Sequence, residues 1–384
     1  MNRNLFLVAL SLFIWGIGEG LFIYFQPLYL QEWGSDPLMI GGIYSAMGIA
    51  MALAQIPSGY FSDRFGSRSF MLSTWVLGTI ATWIMAIAWS LPTFVIGVVL
   101  YGLTGFVVAP MNSYITSVRG NMSIGRAITL CSGLFNLGAV VGPVTGGFIA
   151  DKFGFKIIYT FAGVLFLIST IIIFLTAKKT EPHHADQVSG QPKGIFTNYR
   201  FLAFLILTAI TMFAVYLPQP LTPNFLQNQQ QLSRTTIGIL GAMGSLGNAV
   251  AMLVFGNLNA FTGFIIGQVW VLIFTAIYLK GNSAIWFGLG YFFMGGYRLC
   301  RSMVLAVSRS LVHPGQTGMA FGMIETANSV AVITAPILAG VLYNKAPYSM
   351  YSVSGWLITA VILFNLLILY TIQRKKNAKH ESAY

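Results

Sequence analysis

The chain has 384 residues, of which 56% are hydrophobic and only 8% charged, with a net charge of +12. Ordinary soluble domains carry about 25% charged residues, so this composition excludes a water-soluble fold. The cations lie between apolar runs and at the chain ends. That placement argues against a nucleic-acid partner and is typical of the loops of a membrane protein.

The predicted elements begin with a membrane helix over residues 5–31. Its apolar character continues across Glu19 to Leu30 with no cleavage pattern after it, so we expect a retained helix rather than a signal peptide. Because the apolar runs are continuous and long enough to cross a bilayer, they indicate helices and not the alternating segments of a β-barrel. The twelve predicted helices cover residues 5–31, 37–62, 68–90, 92–118, 125–150, 155–177, 199–226, 234–258, 261–280, 282–309, 316–342 and 349–373.

A polar segment separates the sixth predicted helix from the seventh and divides the chain into two halves. We expect six-helix bundles at residues 1–177 and 199–373, a linker at 178–198 and a basic tail at 374–384. An even number of crossings puts both termini on one face. If that face is cytoplasmic, it receives 14 Lys and Arg residues against 5 on the other face. The positive-inside rule therefore predicts a plasma-membrane protein with cytoplasmic termini, linker and tail.

The two halves repeat short motifs in the same order. Segments 26–28, 42–48 and 142–147 match segments 219–221, 238–244 and 335–340, at offsets of 193 to 196 residues. Three matches at nearly one offset indicate two pseudo-symmetric halves, as in transporters that rock about a central site. The predicted fold class is an all-α membrane protein with twelve transmembrane helices in two six-helix bundles.

A charged turn joins the second predicted helix to the third, between two apolar runs that contain no charge. It is Gly59-Tyr60-Phe61-Ser62-Asp63-Arg64-Phe65-Gly66-Ser67-Arg68, which gives the pattern Gly-x-x-x-Asp-Arg-x-Gly-x-Arg. In the simplest interpretation, glycine makes the connection tight and the arginines anchor at lipid headgroups. In this position the pattern also resembles the signature between the second and third helices of the major facilitator superfamily of transporters.

The resemblance implies a gating role for this turn, carried by Gly59, Asp63, Arg64, Gly66 and Arg68. In the family, the carboxylate contacts the positive end of a helix in the other half and stabilises the outward-facing state. A helix N-terminus attracts an anion because its free N–H groups and its dipole both favour negative charge. The helix that begins near Gln316 is the candidate partner of Asp63. The equivalent turn of the second half, 256–263, keeps the glycines but lacks the acid and the arginine.

A second motif lies on the fifth predicted helix: Gly138-x-x-x-Gly142-Pro143-x-x-Gly146-Gly147. Small residues four apart allow helices to approach closely, and a proline removes a backbone hydrogen bond and bends the helix. Generic packing explains this motif, but it also resembles the helix-five signature of proton-coupled exporters in the same superfamily. That resemblance implies a gating role for Gly142 and Pro143 and favours export. The segment 147–154 then repeats features of the Asp63 turn at the opposite membrane face.

Glu19 lies near the middle of the first predicted helix. An ionised side chain at such a depth costs about 2.5–3.5 kcal/mol, so it normally faces a cavity or a partner. No cation is near it in the sequence, and burial disfavours the charged form of a carboxyl group. Glu19 is therefore the candidate proton-coupling residue, and an interhelical hydrogen bond is the alternative interpretation.

Arg298 and Arg301, on the tenth predicted helix, are three residues apart and so share a helix face. At 1.5 Å per residue, Arg301 is expected about 4–5 Å nearer the cytoplasm than Arg298. Glu325, on the antiparallel eleventh helix, falls at the depth of Arg301, which predicts an Arg301–Glu325 pair. The pair is either a structural salt bridge or part of proton coupling. In the second case Arg298 is free to hold an anionic or carbonyl-bearing substrate, and Glu325 competes for the cations when the substrate leaves. Arg298 and Arg301 are both assigned to substrate binding.

Polar and aromatic side chains on several predicted helices complete a candidate substrate cavity. Each could instead form a hydrogen bond between helices or lie at the membrane interface. The residues assigned to substrate binding are Tyr24, Gln26, Asn112 and Gln219, with Asn136, Tyr216 and Asn328 as further cavity candidates. Pro218, Pro220 and Pro223 predict a break near the end of the seventh helix.

Other chemistries lack support in the sequence. There is no phosphate-binding loop for ATP, the 4 His and 2 Cys show no metal-type spacing, and no catalytic set is apparent. We therefore expect neither an enzyme nor a cofactor or metal. The predicted protein is a monomeric secondary transporter that moves a small organic solute across the lipid bilayer by proton-coupled export. The alternatives are uptake or uniport of an organic anion, with Arg298 as its main ligand, and a membrane sensor that moves nothing.

Overall fold

A computed structural model describes residues 2–177, 195–256, 258–313 and 316–381, and the side chains of 55–65, 109, 125, 317–318 and 367–381 lie outside it. Within these ranges the chain consists of α-helices joined by short turns, two 3-10 helices and no β-strand. The helices follow the order of the predicted spans, each of which crosses the molecule once.

Six spans make up the first half. The first contains α1 (Arg3–Phe22) and α2 (Gln26–Glu32), the second α3 (Pro37–Phe65) and the third α4 (Ser67–Ile87). The fourth contains α5 (Leu91–Leu103), the 3-10 helix Thr104–Val107 and α6 (Val108–Val118), the fifth α7 (Ile124–Phe153) and the sixth α8 (Phe155–Phe174).

The second half begins with the 3-10 helix Ile195–Thr197 and has the same arrangement. Its first span contains α9 (Tyr199–Tyr216) and α10 (Thr222–Asn228), followed by α11 (Arg234–Phe255) and α12 (Ala260–Lys280). The tenth span contains α13 (Ala284–Met294) and α14 (Gly296–Leu311), followed by α15 (Thr317–Lys345) and α16 (Ser349–Glu381).

Four spans are broken, and they occupy equivalent places in the two halves: the first and fourth, and the seventh and tenth. In the first and seventh, the second segment has a proline in its first turn, Pro27 in α2 and Pro223 in α10. Proline is favourable there because its missing N–H would have had no partner inside the helix. The break predicted for the seventh span is confirmed. In the structure the predicted first, fourth and tenth helices each consist of successive helical segments.

Length and composition show that ten of these spans can cross a membrane, and the bent pair Leu91–Val107 and Pro110–Val118 provides an eleventh. The tenth span is more polar, because α14 carries three arginines. Since the crossings alternate, residue 2 and the end of α16 lie on one face, which we call the terminal face. The turns at 33–36, 153–155 and 346–348 lie on the opposite face, which we call the distal face.

A buried polar cluster joins three helices of the first half. The Trp75 indole Nε1 donates hydrogen bonds to Ser11 Oγ at 2.8 Å and to Ser169 Oγ at 3.0 Å. Nearby, Trp15 stacks on Phe166 with ring centroids 3.9 Å apart. Buried polar atoms are costly unless they are hydrogen-bonded, so this cluster fixes how α1, α4 and α8 pack.

Two antiparallel helix pairs join the halves, α3 with α15 and α7 with α11. Small residues let the backbones touch at both crossings. A Cβ atom on Gly41 would collide with the carbonyl group of Pro336, and one on Gly238 with the carbonyl group of Pro143. Gly41 lies near the start of α3 and Gly238 near the start of α11, so these contacts hold the halves together on the distal side.

Two expectations about the ends of the halves change in the structure. Most of the predicted linker, residues 178–194, lies outside the described residues, and its last part forms the 3-10 helix Ile195–Thr197. The last helix was expected to end at residue 373, but α16 continues to Glu381, so much of the predicted tail is helical. The reason is that residues 374–381 contain no proline or glycine to end the helix.

Two glycines at sharp turns adopt backbone conformations that other residues avoid. Gly66, between α3 and α4, has φ 84° and ψ 136°, and Gly154, between α7 and α8, has φ 81° and ψ 171°. A residue with a Cβ atom in such a conformation is strained by roughly 1–3 kcal/mol.

We expect Gly154→Ala to lower the melting temperature of the detergent-purified protein, because the backbone strain appears even though the site has room for a Cβ atom. Thermal unfolding followed by intrinsic fluorescence measures the change. Gly42→Ala is the matched control, since Gly42 lies inside α3 at the same face, with no atom near an added Cβ. Equal melting temperatures for the two variants would contradict this account of the turn.

Candidate functional site

A cavity of about 310 Å³ lies between the two halves. Among the described residues, its wall includes six aromatic rings, one carboxyl group and one guanidinium group, which is a lining suited to a small organic solute. The first half contributes Glu19, Gly20, Ile23, Tyr24, Pro27, Tyr44, Met47, Phe135, Asn136 and Ala139. The second half contributes Tyr216, Gln219, Pro220, Pro223, Ser245, Asn248, Tyr291, Met294, Tyr297 and Arg298.

Three of the four broken spans supply side chains to this cavity: the first, the seventh and the tenth. A break frees backbone groups that must find partners, and such irregular backbone is tolerated in a membrane where it lines a cavity. Gln219 illustrates this at the end of α9, where its Nε2 donates to the carbonyl oxygen of Val215 at 2.8 Å. The breaks thus place polar atoms at the cavity wall.

Glu19 reaches the cavity from α1. Its Oε2 accepts a hydrogen bond of 2.9 Å from the Tyr101 hydroxyl on α5. The next residue, Gly20, packs directly on Gly142 and Pro143 of α7, which fixes the helix that carries the carboxyl group. Among the described residues, Glu19 forms no ion pair.

Arg298 reaches the same cavity from α14, in the other half. Its side chain is exposed, and among the described residues it forms no ion pair. Arg298 is close enough to Glu19 for their charges to interact across the cavity. One cavity therefore holds a carboxyl group from the first half and a guanidinium group from the second. Such a site can bind a proton, an anion, or a solute that carries charges of both signs.

Tyr24 links the halves at the wall of the cavity. Its hydroxyl lies 3.5 Å from Ser245 Oγ on α11, and Ser245 Oγ also donates to the carbonyl oxygen of Ala139 on α7 at 3.0 Å. The Tyr24 ring meets Tyr291 edge-on, with centroids 5.9 Å apart. These contacts cross from one half to the other, so relative movement of the halves would change the cavity wall here.

The expected Arg301–Glu325 contact is present. Arg301 Nη2 lies 2.7 Å from Glu325 Oε2, and the two side chains are 39% and 29% exposed. The pair was predicted from depth in the membrane alone, because α14 and α15 are antiparallel and the two residues lie at similar depths. Neither residue is part of the lining of the cavity described above, so their assigned roles in substrate binding and proton coupling stay predictions.

Two residues assigned to substrate binding, Gln26 and Asn112, do not line this cavity. Gln26 is fully buried, and neither polar atom of its side-chain amide has a hydrogen-bond partner among the described residues. Asn328, a further candidate, is also buried away from the cavity. The other candidates, Tyr24, Gln219, Asn136 and Tyr216, are part of the lining.

The residues assigned to gating divide into three groups. Gly59, Asp63 and Arg64 lie outside the residues whose side chains the structure describes. Gly66 forms the turn between α3 and α4, and Arg68 donates to the carbonyl oxygens of Thr176, at 3.0 Å, and Phe174, at 3.2 Å. Arg68 thus binds the C-terminus of α8 in its own half. Gly142 and Pro143 lie on α7, at its contacts with α1 and α11.

Sequence patterns missed several residues of the lining, among them Tyr44, Asn248, Tyr291 and Tyr297. Tyr44 lies within the repeated segment 42–48, a signal that the sequence offered. For Asn248 and Tyr291 no signal was available, since a mostly apolar helix does not show which face meets the cavity. Tyr297 precedes the candidate residue Arg298 on the polar helix α14, and that position was a signal.

Comparison with known proteins places this fold in a family. The sequence profile of the Major Facilitator Superfamily matches residues 8–216 and 204–383. Multidrug resistance protein 1 of Bacillus subtilis is 23% identical over 356 residues, covering 89% of this chain and 90% of that protein. Multidrug resistance protein MdtG of Proteus mirabilis is 26% identical over 392 residues, covering 95% and 94%. An uncharacterized MFS-type transporter of Methanocaldococcus jannaschii is 27% identical over 180 residues, 46% of each chain.

Solved structures share the fold at low sequence identity. The nucleoside transporter NupG superimposes with a TM-score of 0.76 at 14% identity, covering 97% of this chain and 99% of that one. The peptide transporter POT superimposes with a TM-score of 0.77 at 15% identity, covering 97% of this chain and 95% of that one. The human organic anion transporter MFSD10 superimposes with a TM-score of 0.70 at 17% identity, covering 94% of this chain and 99% of that one. Profile, relatives and fold agree: the chain belongs to the Major Facilitator Superfamily and is a non-enzymatic transporter of small molecules across a membrane.

Proposed function

We propose that this transporter exports a small organic solute in exchange for protons, with Glu19 as the residue that binds the proton. The observation that carries the proposal is the position of Glu19, which faces the cavity between the halves without an ion pair among the described residues. A carboxyl group inside a membrane normally has a functional role. The multidrug resistance relatives, which match most of the chain, support export.

Exchange requires that solute and proton compete for one group. A solute that is positively charged, or that donates a hydrogen bond, binds best to the ionised form of Glu19. Protonation of Glu19 then lowers the affinity for that solute. Tyr101 already donates to one oxygen of that carboxyl group at 2.9 Å, so a solute would take the other. The exported class that fits this site is therefore an aromatic amine or another cationic amphipathic molecule, with tyrosine rings as its further contacts.

Alternating access supplies the movement. We propose that the bundles 1–177 and 199–373 rock about the cavity, that the protein works as a monomer in the plasma membrane, and that the terminal face is cytoplasmic. The distribution of Lys and Arg, 14 against 5, supports this orientation.

Glu19→Gln is expected to abolish acceleration of transport by a pH gradient, because glutamine cannot bind or release a proton. Exchange of labelled for unlabelled solute needs no net proton movement, so it should continue once the solute concentration is raised to offset the weaker binding to the neutral side chain. The measurement is uptake of a fluorescent aromatic cation such as ethidium into inside-out proteoliposomes, with and without the gradient.

Asp36→Asn serves as the control, because Asp36 is an exposed acid in a turn far from the cavity. It should retain the full response to the gradient. If Glu19→Gln retained that response as well, Glu19 would not be the coupling residue.

A second candidate function is transport of an organic anion. The guanidinium group of Arg298 favours it, because it is exposed in the cavity and forms no ion pair with any residue that the structure describes. Here a proton on Glu19 would remove the negative charge that opposes the anion. Proton and anion would then bind together, and an inward proton gradient would drive uptake. The charge of the solute thus decides between exchange and cotransport at the same pair of residues.

Under this second function, Arg298→Ala should weaken binding of an aromatic carboxylate by about tenfold or more, because a charge-assisted hydrogen bond contributes about 1.5–3 kcal/mol. Arg298→Lys should restore part of the loss, since lysine keeps the charge but not the planar pair of donors. Calorimetric titration with benzoate and with the neutral benzamide measures the effect.

Arg309→Ala is the matched control, because Arg309 is an exposed arginine in the last turn of the same helix. Its benzoate affinity should equal that of the unmodified protein. Affinity for benzoate that does not depend on Arg298 would exclude organic anions as a class recognised through this residue.

A further inference from the structure

Charged residues of the two halves meet at the distal face of the molecule, and we call Glu32, Asp151 and Arg234 the distal charge cluster. Asp151, at the end of α7, accepts hydrogen bonds from the backbone N–H groups of Arg234 at 3.2 Å and of Thr235 at 2.8 Å. Its Oδ2 also accepts a hydrogen bond from the hydroxyl group of Thr235. Asp151 belongs to the first half, whereas Arg234 and Thr235 are the first two residues of α11 in the second half.

The first N–H groups of a helix have no partner within it, and the helix dipole makes that end positive. Asp151 supplies both an acceptor and a negative charge at this end of α11. The contact joins two bodies, because the carboxylate and the helix belong to different halves. It exists only while the distal ends of α7 and α11 are together.

Arg234 reinforces this contact with its side chain. Its Nη2 forms an ion pair with Glu32 at the end of α2, and its Nη1 donates to the carbonyl oxygen of Ala150 at 3.0 Å. The guanidinium group also lies over the ring of Phe155, 4.1 Å from its centroid. Each of these partners belongs to the first half, so the side chain of Arg234 crosses the boundary between the halves.

The backbones beneath the cluster touch each other. A Cβ atom on Gly147 would collide with the carbonyl group of Arg234, just as one on Gly238 would collide with that of Pro143. The cluster therefore lies beside a close backbone contact between α7 and α11 on the distal side, and opening this face requires that its hydrogen bonds break.

The sequence around Asp151 parallels the turn around Asp63. Segment 147–154 has the pattern Gly-x-x-x-Asp-Lys-x-Gly, and segment 59–66 has Gly-x-x-x-Asp-Arg-x-Gly. The last glycine of each has a positive φ, 84° at Gly66 and 81° at Gly154. The two turns are therefore alike in sequence and backbone, and because α3 and α7 run in opposite directions they lie on opposite faces.

We propose that Asp151, with Arg234 and Glu32, forms a gate that holds the distal face closed, and that this gate opposes the one assigned to Asp63 at the terminal face. The distal gate places a carboxylate of the first half at the N-terminus of a helix of the second half, which is the arrangement that the family resemblance implies for Asp63. The balance between the two sets which face is open. The proposal rests on alternating access as proposed above, but it is independent of the solute, the direction of transport and the role of Glu19.

The test measures the distance between the halves on the distal side. Spin labels on Trp89→Cys and Asn282→Cys, which replace exposed residues in distal turns of the two halves, report that distance by pulsed electron resonance in nanodiscs. Asp151→Ala should raise the ratio of the long-distance to the short-distance population about fivefold. Asp63→Asn should shift the ratio in the opposite direction.

Asp36→Asn is the matched control. Asp36 is an aspartate at the same face whose Oδ1 accepts the N–H of Met39 at 2.7 Å, so it caps a helix of its own half. It should leave the distance distribution unchanged. The label pair reports conformation without any transport, so failure of proton-coupled export would not alter this result.

A charge exchange keeps the proposal testable if Asp151→Ala does not fold. Arg234→Glu alone should open the distal face, and adding Glu32→Arg should close it again. A purely local loss of stability would not be reversed by the second substitution. Unchanged distances in Asp151→Ala and in Arg234→Glu, or an opening in Asp36→Asn of equal size, would overturn the proposal.

Discussion

Ionisable side chains inside a membrane need water or a partner, and this requirement determines where such side chains lie in the molecule. The structure meets the requirement in two ways. Arg301 and Glu325 pair with each other at 2.7 Å, whereas Glu19 and Arg298 face a common cavity from opposite halves. Because these two residues belong to different halves, the cavity that receives both of them lies where the two bundles meet.

The same constraint separates what the sequence could predict from what it could not. The spans followed from uninterrupted apolar runs, and the Arg301–Glu325 contact followed from depth, because rise per residue is fixed in a helix. Rotation about the helix axis is not fixed in this way. Gln26 and Gln219 occupy equivalent positions in the repeat, yet Gln26 is buried and Gln219 lines the cavity. Only packing between helices distinguishes the two.

Breaks in the helices were hidden for a related reason. Three prolines revealed the break in the seventh span, but the first span has only Pro27, and the tenth breaks at Gly295 and Gly296 without any proline. Glycine permits a break without requiring one. The sequence also did not reveal which residues of one half contact residues of the other. The acid at Asp151 was visible in the sequence, whereas its partner at the start of α11 is 83 residues away and is set by tertiary structure.

The helix crossings between the halves explain why a few charges can control the opening of a face. When two apolar helices separate in a membrane, lipid tails take the place of the neighbouring side chains and are equally apolar. The separation therefore loses mainly packing contacts. At the crossings of α3 with α15 and of α7 with α11, many of those contacts are made by glycine backbones, such as Gly41 and Gly238. The hydrophobic effect therefore contributes little to the free-energy difference between the closed and open states. Polar groups at the aqueous end, which exchange protein partners for water, are left to decide it.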